Sequence, residues 1–146
     1  MLDLLFKGGQ VVDGLGTPRY RADVAVRDGR IVAIGDLTGA EAARTVDCTG
    51  RCVSPGWVDI HGHADYSVLD HPAALNLLIQ GCTTMVSGNC GGAKDVAGFY
   101  RGVDAHGAGV NIIHLVGQGT VRQAVMGSAS RAPTKEELER MKALVA

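Results

Sequence analysis

Short apolar runs alternate with polar residues along the first fifty positions, and glycine-containing turns separate them. Four short strands are predicted there: residues 4–7, 10–12, 22–27 and 30–35. A glycine pair at 8–9 separates the first two, and Asp28-Gly29, which favours a type I′ hairpin turn, separates the last two. Val24 and Val26 alternate with less apolar neighbours, so one face of the third strand is apolar. The pattern predicts a small, half-buried antiparallel sheet.

From about Cys52 the pattern changes to strands that alternate with helices. Apolar runs predict three strands: residues 57–60, 83–87 and 110–116. Two helices are predicted between them: residues 72–80 and 95–106. Pro72 suits the first position of the first helix, and Gly81 ends it. This order is typical of right-handed βαβ crossovers around a parallel sheet, so the predicted fold class is α/β.

One more helix is predicted near the end of the chain, after a glycine-rich loop over residues 117–130. Thr134 and Glu137 form a T-x-x-E capping box that begins this helix. Its apolar residues share one face: Leu138, Met141 and Val145. Three parallel strands with such helices leave a sheet edge unpaired, so the predicted fold is incomplete and we expect self-association through that edge.

Composition narrows the classes of partner. Apolar residues make up 46% of the 146 residues and charged residues 20%, which is typical of a globular protein. The net charge is -1 and the basic residues are scattered, so nucleic acid is not an expected partner. The opening MLDLLFKGG is too short for a signal peptide or a spanning helix, so we expect a cytoplasmic protein without a membrane partner. The four cysteines lack C-x-x-C spacing, so reduced thiols are expected.

Two histidines directly follow the predicted strand at 57–60. Residues at i and i+2 of a strand point to the same face, about 6.6 Å apart, so His61 and His63 can converge on one metal ion. The carboxyl end of a parallel strand is also where α/β enzymes place their active sites. An isolated H-x-H is weak evidence, and surface histidines give the same pattern. The position after an apolar strand favours a metal site.

Cys90 ends the run SGNC after the second predicted parallel strand. Its flanking glycines indicate an exposed turn rather than a packed core, and a thiolate there would be a good zinc ligand. Asp65 is open to three interpretations: a ligand, a partner of a ligating histidine, or a loop residue bonded to its own backbone. The remaining histidines are interpreted as structural: His71, His106 and His114.

Four stretches resemble one enzyme family: VSPGWVDIHGHAD, GCTTMVSGNCGG, NIIHLVGQGTVRQAVMG and the opening DLLFKGGQVVDGLGTPRYRADVAVRDGRIVAIG. The first is similar to the first barrel strand of the amidohydrolase superfamily. Together they resemble the N-acyl-D-amino-acid deacylase branch, which includes the D-aminoacylases, over nearly the whole chain. GNCG is the most specific part, because dihydroorotases and hydantoinases use a carboxylated lysine from a later strand where this branch uses the cysteine.

The resemblance implies a (β/α)8 TIM barrel with a small β-sandwich built from both chain ends. Residues 1–54 would supply the amino-terminal part of the sandwich, and residues 55–146 the first three strand-helix units of a truncated barrel. It implies Zn²⁺ as cofactor, with His61, His63 and Cys90 as ligands, and a small-molecule N-acyl amino acid as substrate. The catalytic aspartate of the family comes from a later strand, so no catalytic residue is assigned within the chain, and we expect the chain alone to be inactive.

Two residues near the third strand are candidate substrate-binding groups. Gln118 stands where family members often have histidine; it can donate a hydrogen bond but cannot titrate. Arg122 could pair with a substrate carboxylate, and a solvated loop arginine is an equal alternative. Two other functions stay open: a cyclic amidohydrolase of the dihydroorotase or hydantoinase type, and a non-catalytic metal-binding or interaction module. Completion of the barrel by several copies is a further alternative without support in the sequence.

Overall fold

The computed structural model describes residues 1–90 and 95–145, and the chain divides into two compact units, Met1–Pro55 and Gly56–Ala146. The first unit contains five strands: β1 (Leu2–Val11), β2 (Tyr20–Arg27), β3 (Arg30–Gly35), β4 (Ala42–Asp47) and β5 (Cys52–Val53). They form one sheet in the order β3-β2-β1-β4, with β5 also paired to β1. The apolar residues of this unit cluster around Val11, Ala22 and Val24.

The sheet of the first unit is mixed rather than antiparallel as predicted. β1 pairs antiparallel with β2, and β2 with β3, but β1 pairs parallel with both β4 and β5. The segment after β3 carries the chain past β2 to the other side of β1, so β4 arrives running in the same direction as β1. Local alternation could not show this, because it does not report which strands become neighbours.

Gly8 and Gly9 form a bulge within one strand, so the prediction of two strands joined by a turn is wrong. The pairing of β1 with β2 shifts register between Phe6 and Gly9. Gly8 has φ +76°, and its N–H donates to Asp23 Oδ1 at 2.7 Å. A Cβ on Gly9 would lie 2.7 Å from Cγ2 of Val53. The glycines therefore serve a bulge and a close approach of β1 to the segment carrying β5.

The predicted Asp28-Gly29 hairpin is confirmed, since both residues have positive φ (51° and 70°) and connect antiparallel β2 and β3. The prediction that only one face of β2 is apolar and buried is wrong, because the consecutive residues Ala22 to Ala25 are all buried. Asp23 is among them, and its two oxygens accept the backbone N–H groups of Gly8 and Leu37. These bonds satisfy the carboxylate where it is buried.

The second unit has a parallel sheet, as predicted. Its strands are β6 (Trp57–Asp59), β7 (Cys82–Ser87) and β8 (Asn111–His114), in the order β6-β7-β8. A turn of 3₁₀ helix, Ala64–Tyr66, and four α-helices follow or connect them: α1 (Leu75–Leu78), α2 (Val96–His106), α3 (Gln118–Met126) and α4 (Lys135–Ala143). Met85, which is fully buried on β7, belongs to the core cluster of this unit with Val68, Leu77 and Val110.

β8 is shorter than the predicted strand over residues 110–116. Two helices of this unit also differ from the predictions. α1 begins at Leu75 rather than Pro72, because the Pro72 carbonyl accepts the N–H of Gly109 at 2.7 Å and Ala74 has left-handed φ and ψ of 46° and 41°. Residues 117–130 were predicted as a loop, but they contain α3, which buries Val121 and Met126. The glycines that flank this helix favour a loop prediction. Burial of its apolar face stabilises the helix in the folded unit.

The predicted start of the last helix is confirmed. The Thr134 side chain accepts the Glu137 N–H at 3.2 Å, and Glu137 Oε2 accepts the Thr134 N–H at 2.8 Å. Leu138 and Met141 of α4 line a shared cavity with Val121 of α3, so the predicted apolar face of α4 packs toward α3. No helix formed by the described residues is long and apolar enough to cross a bilayer.

Candidate metal centre

Three side chains that were predicted as metal ligands lie together after β6 and β7. One ligand atom from each of His61, His63 and Cys90 lies within 4.8 Å of the others. His61 Nε2 is 3.3 Å from Cys90 Sγ, and the two imidazole centroids are 5.5 Å apart. All three residues are exposed. Among the described residues, one group of at least three His, Cys, Asp or Glu side chains is close enough to share a metal ion, and it consists of these three.

The two histidines lie on a turn after β6, so the prediction that strand alternation orients them is wrong. β6 ends at Asp59, and Asp59 Oδ1 accepts the His61 N–H at 3.1 Å. The Gly62 N–H donates to Val86 O at 2.9 Å, which ties the turn to β7. A Cβ on Gly62 would lie 2.9 Å from Asp59 Oδ2. Glycine thus allows the chain to bend closely enough for both rings to converge.

Cys90 is positioned by the turn that follows β7. Gly88 has φ +80°, and a Cβ at this position would lie only 2.2 Å from the Leu115 carbonyl oxygen. Asn89 Nδ2 donates to Val86 O at 2.9 Å, and the Leu115 N–H donates to Ser87 O at 3.0 Å. Val86 O therefore receives bonds from both the histidine turn and the cysteine turn. This shared acceptor links the two ligand-bearing segments.

The chemistry of the three groups fits zinc, and so does the separation of His61 Nε2 from Cys90 Sγ. Zn²⁺ binds imidazole nitrogen and thiolate sulfur, usually with tetrahedral geometry and bonds of about 2.0–2.1 and 2.3 Å. Such bonds hold a nitrogen and a sulfur roughly 3.6 Å apart. The observed 3.3 Å between His61 Nε2 and Cys90 Sγ is close to that separation, so a small adjustment of the side chains would accommodate an ion. Three protein ligands leave a fourth position for another group.

The other histidines and Asp65 lie outside this ligand group. His106 Nδ1 lies 2.8 Å from the Gly102 carbonyl oxygen at the end of α2. His114 is buried on β8 and contacts Ser87 Oγ at 2.8 Å. Asp65 lies in the 3₁₀ turn, and its buried Oδ1 has no hydrogen-bond partner among the described residues. The contact between Ser87 and His114 was not predicted from the sequence. It depends on the pairing of β7 with β8, which places these two residues opposite each other.

The two candidate substrate-binding residues lie on α3. Gln118 is exposed at its first position. Arg122 donates through Nη2 to the carbonyl oxygens of Ala129 (2.7 Å) and Arg131 (2.8 Å). These bonds give Arg122 a role in holding the loop after α3. A contact of Gln118 or Arg122 with substrate therefore stays a prediction.

The sequence is similar to N-acyl-D-amino-acid deacylases over nearly its full length. No protein-family model matches the chain. An N-acyl-D-glutamate deacylase from Alcaligenes xylosoxydans xylosoxydans is 38% identical over 99% of this chain and 34% of its own length. The chain thus spans about a third of the length of this relative.

Two solved structures share the fold and part of the sequence. An N-acyl-D-glutamate deacylase from Bordetella bronchiseptica, complexed with zinc and a phosphonate mimic of the tetrahedral intermediate, gives a TM-score of 0.85 at 36% identity, covering 97% of this chain and 35% of its own. A D-aminoacylase described as defining a subset of amidohydrolases gives 0.86 at 34% identity, covering 99% and 36%. Over nearly its full length, the chain is therefore similar in sequence and in fold to the N-acyl-D-amino-acid deacylases, which include a D-aminoacylase that defines a subset of the amidohydrolases.

Proposed function

We propose that His61, His63 and Cys90 bind a zinc ion and supply part of the metal centre of a hydrolase that cleaves the linear amide bond of N-acyl-D-amino acids. The main observation that supports this proposal is that two imidazoles and one thiol converge within 4.8 Å. The Bordetella bronchiseptica relative, an N-acyl-D-glutamate deacylase, contains zinc, which supports both the metal and the substrate class. Expected products are a carboxylic acid and a free D-amino acid.

The same proposal extends to the architecture. We infer that residues 55–146 are the first strand-helix units of a (β/α)8 barrel and that residues 1–54 are part of a small β-sandwich. Support comes from the parallel order β6-β7-β8, with ligand residues after the carboxyl ends of β6 and β7. In (β/α)8 enzymes the active site lies at that end of the strands.

A zinc ion held there would act as a Lewis acid that polarises the acyl carbonyl and makes water a nucleophile near neutral pH. The chain's own residues would hold this ion through neutral imidazole nitrogens of His61 and His63 and the thiolate of Cys90. Asp59 and the Val86 carbonyl keep the histidine turn in place through the His61 and Gly62 N–H groups. Among the described residues, no carboxylate belongs to the ligand group. We therefore expect the 146-residue chain to bind metal without rapid turnover.

Titration of the purified chain with Co²⁺ tests the metal centre. Cobalt substitutes for zinc and reports a thiolate ligand through a sulfur-to-metal charge-transfer band. The wild-type chain should bind one Co²⁺ ion and show this charge-transfer band. Cys90→Ser should abolish the band and weaken binding by more than about tenfold, since even partners that only orient ligands are worth about 10- to 100-fold.

Cys52→Ser is the matched control, because Cys52 is an exposed free thiol in the first unit. It should leave both the band and the affinity unchanged. Absence of stoichiometric Co²⁺ binding by wild type, or an unchanged band in Cys90→Ser, would overturn the proposed centre. Hydrolysis of N-acetyl-D-glutamate by the zinc-loaded chain above a zinc-only blank would contradict the expected lack of rapid turnover.

A further inference from the structure

A polar pair is buried between β7 and β8 near the candidate metal centre. Ser87 is fully buried and lies opposite His114 in the strand register. Ser87 Oγ is 2.8 Å from His114 Nδ1. The His114 ring stacks on Phe99 with centroids 4.1 Å apart, and its backbone N–H donates to the Tyr100 hydroxyl at 2.9 Å. The imidazole therefore has a defined orientation inside the unit.

The direction of the hydrogen bond between Ser87 Oγ and His114 Nδ1 determines the tautomer of His114. A buried hydroxyl proton needs an acceptor, and the side-chain partner found for Ser87 in the described residues is Nδ1 of His114. If Ser87 donates to Nδ1, the neutral imidazole carries its proton on Nε2. That Nε2–H in turn needs an acceptor.

Asp65 provides a complementary unsatisfied group. Its buried Oδ1 has no hydrogen-bond partner among the described residues. The 3₁₀ turn that contains Asp65 packs against β7, and Ala64 in that turn packs on the same core cluster as Phe99. Burial lowers the pKa of His114 below its usual value, and the negative charge of Asp65 acts in the opposite direction. The carboxylate and the imidazole thus share one neighbourhood.

We propose that Ser87, His114 and Asp65 form a buried relay in which one bridging water accepts the His114 Nε2–H and donates to Asp65 Oδ1. Asp65 lies two residues after His63, so this bridge would fix the turn that carries a metal ligand to β8. His114 is then a positioning residue for His63. The relay rests on its own geometry, and only its effect on the metal depends on the proposed function.

Nuclear magnetic resonance of the ¹⁵N-histidine-labelled chain tests the relay without metal. In wild type, Nδ1 of His114 should be unprotonated and Nε2 protonated, with an Nε2–H protected from solvent exchange. Asp65→Ala should remove that protection. Ser87→Ala, which deletes only the hydroxyl, should change the Nδ1 shift. Asp70→Ala is the control, because Asp70 is an exposed aspartate on the same segment.

A proton on Nδ1 in wild type, or protection of Nε2–H unchanged in Asp65→Ala, would overturn the relay.

The positioning effect is measured by Co²⁺ binding to His114→Phe, which keeps an aromatic ring beside Phe99. Its ligand-field spectrum should change and its affinity should fall about 10- to 100-fold. His106→Phe, an exposed position on α2, should change neither. An unchanged spectrum and affinity in His114→Phe would overturn the positioning role, whereas absence of Co²⁺ binding by wild type would overturn the proposed function and leave the tautomer measurement to decide the relay.

Discussion

Gly88 illustrates a backbone position at which one residue type is required. It has φ +80°, which strains any residue with a Cβ, and the space where a Cβ would be is occupied by the backbone of Leu115. Gly127 has a similar φ of +58°, but nothing lies within 4 Å of its Cβ position. The two glycines therefore separate the cost of backbone strain from the cost of a clash.

Gly88→Ala is expected to lower the free energy of unfolding by about 2–5 kcal/mol, as left-handed strain of about 1–2 adds to overpacking of about 1–3. Gly127→Ala should lower the free energy of unfolding only by the backbone strain, because no atom lies near its Cβ position. Urea unfolding followed by the fluorescence of Trp57, the single tryptophan, measures both variants in the second unit. Equal losses in the two variants would show that the segment around Leu115 yields freely.

Residue spacing predicted which groups form the candidate centre. Two histidines after one strand and a cysteine after the next are brought together because neighbouring parallel strands end at the same edge. The role of Asp65 stayed open in the sequence, since local spacing places it beside His63 without indicating what surrounds its carboxylate. The buried oxygen became visible only in the packed structure.

Short-range hydrogen bonds define the start of α4. Besides the capping box, Arg131 donates through both terminal nitrogens to the Glu137 carboxylate at 2.7 Å. These bonds lower the pKa of Glu137 to about 2, with the Arg131 hydrogen bond as the largest cause and the Thr134 N–H as the next. All of these partners lie within six residues of Glu137.

Arg131→Ala is expected to raise the pKa of Glu137 toward its usual value of 4.5. Because the folded pKa in wild type is depressed, the stabilisation by ionised Glu137 is present above the usual pKa and is lost as pH falls toward about 2. Carboxyl chemical shifts of Glu137 followed against pH measure both values. Arg140→Ala is a milder comparison, since Arg140 acts on Glu137 only through its charge. A pKa unchanged in Arg131→Ala would contradict the assignment.

Turns and helix ends with local determinants were predicted correctly, whereas the bounds of two helices depend on distant contacts and were not. The Asp28-Gly29 hairpin and the capping box each involve residues a few positions apart. The start of α1 depends instead on the bond between Pro72 and Gly109, and α3 depends on burial of its apolar residues. Sequence patterns within a short window do not contain those contacts.

At the scale of the whole molecule, the parallel sheet has two edge strands, each with one partner. In the described part of the chain, β6 and β8 pair only with β7. Val58 on β6 and Ile113 on β8 are about half exposed, at 52% and 48%. Exposed apolar edge strands favour association with another chain.

We expect the chain to associate as its concentration rises, and the double variant Val58→Lys, Ile113→Lys to shift it toward monomer, because charged edge residues oppose pairing. Ile79→Lys is the control, as Ile79 is 81% exposed at the end of α1 and lies outside the strands. Analytical ultracentrifugation measures the shift. A wild-type chain that is monodisperse and melts cooperatively would instead favour a stand-alone module.

The amino-acid sequence by itself determined the candidate metal-binding residues, the hairpin, the capping box and the strand-helix order, because each is marked by residues close together along the chain. Tertiary structure decided the mixed sheet, the bulge at Gly8 and Gly9, the extent of α1 and α3, and the burial of Asp65 Oδ1. The physical reason is that strand pairing and burial join positions far apart in sequence. Local propensity is a weak guide to which of those pairings has the lowest free energy.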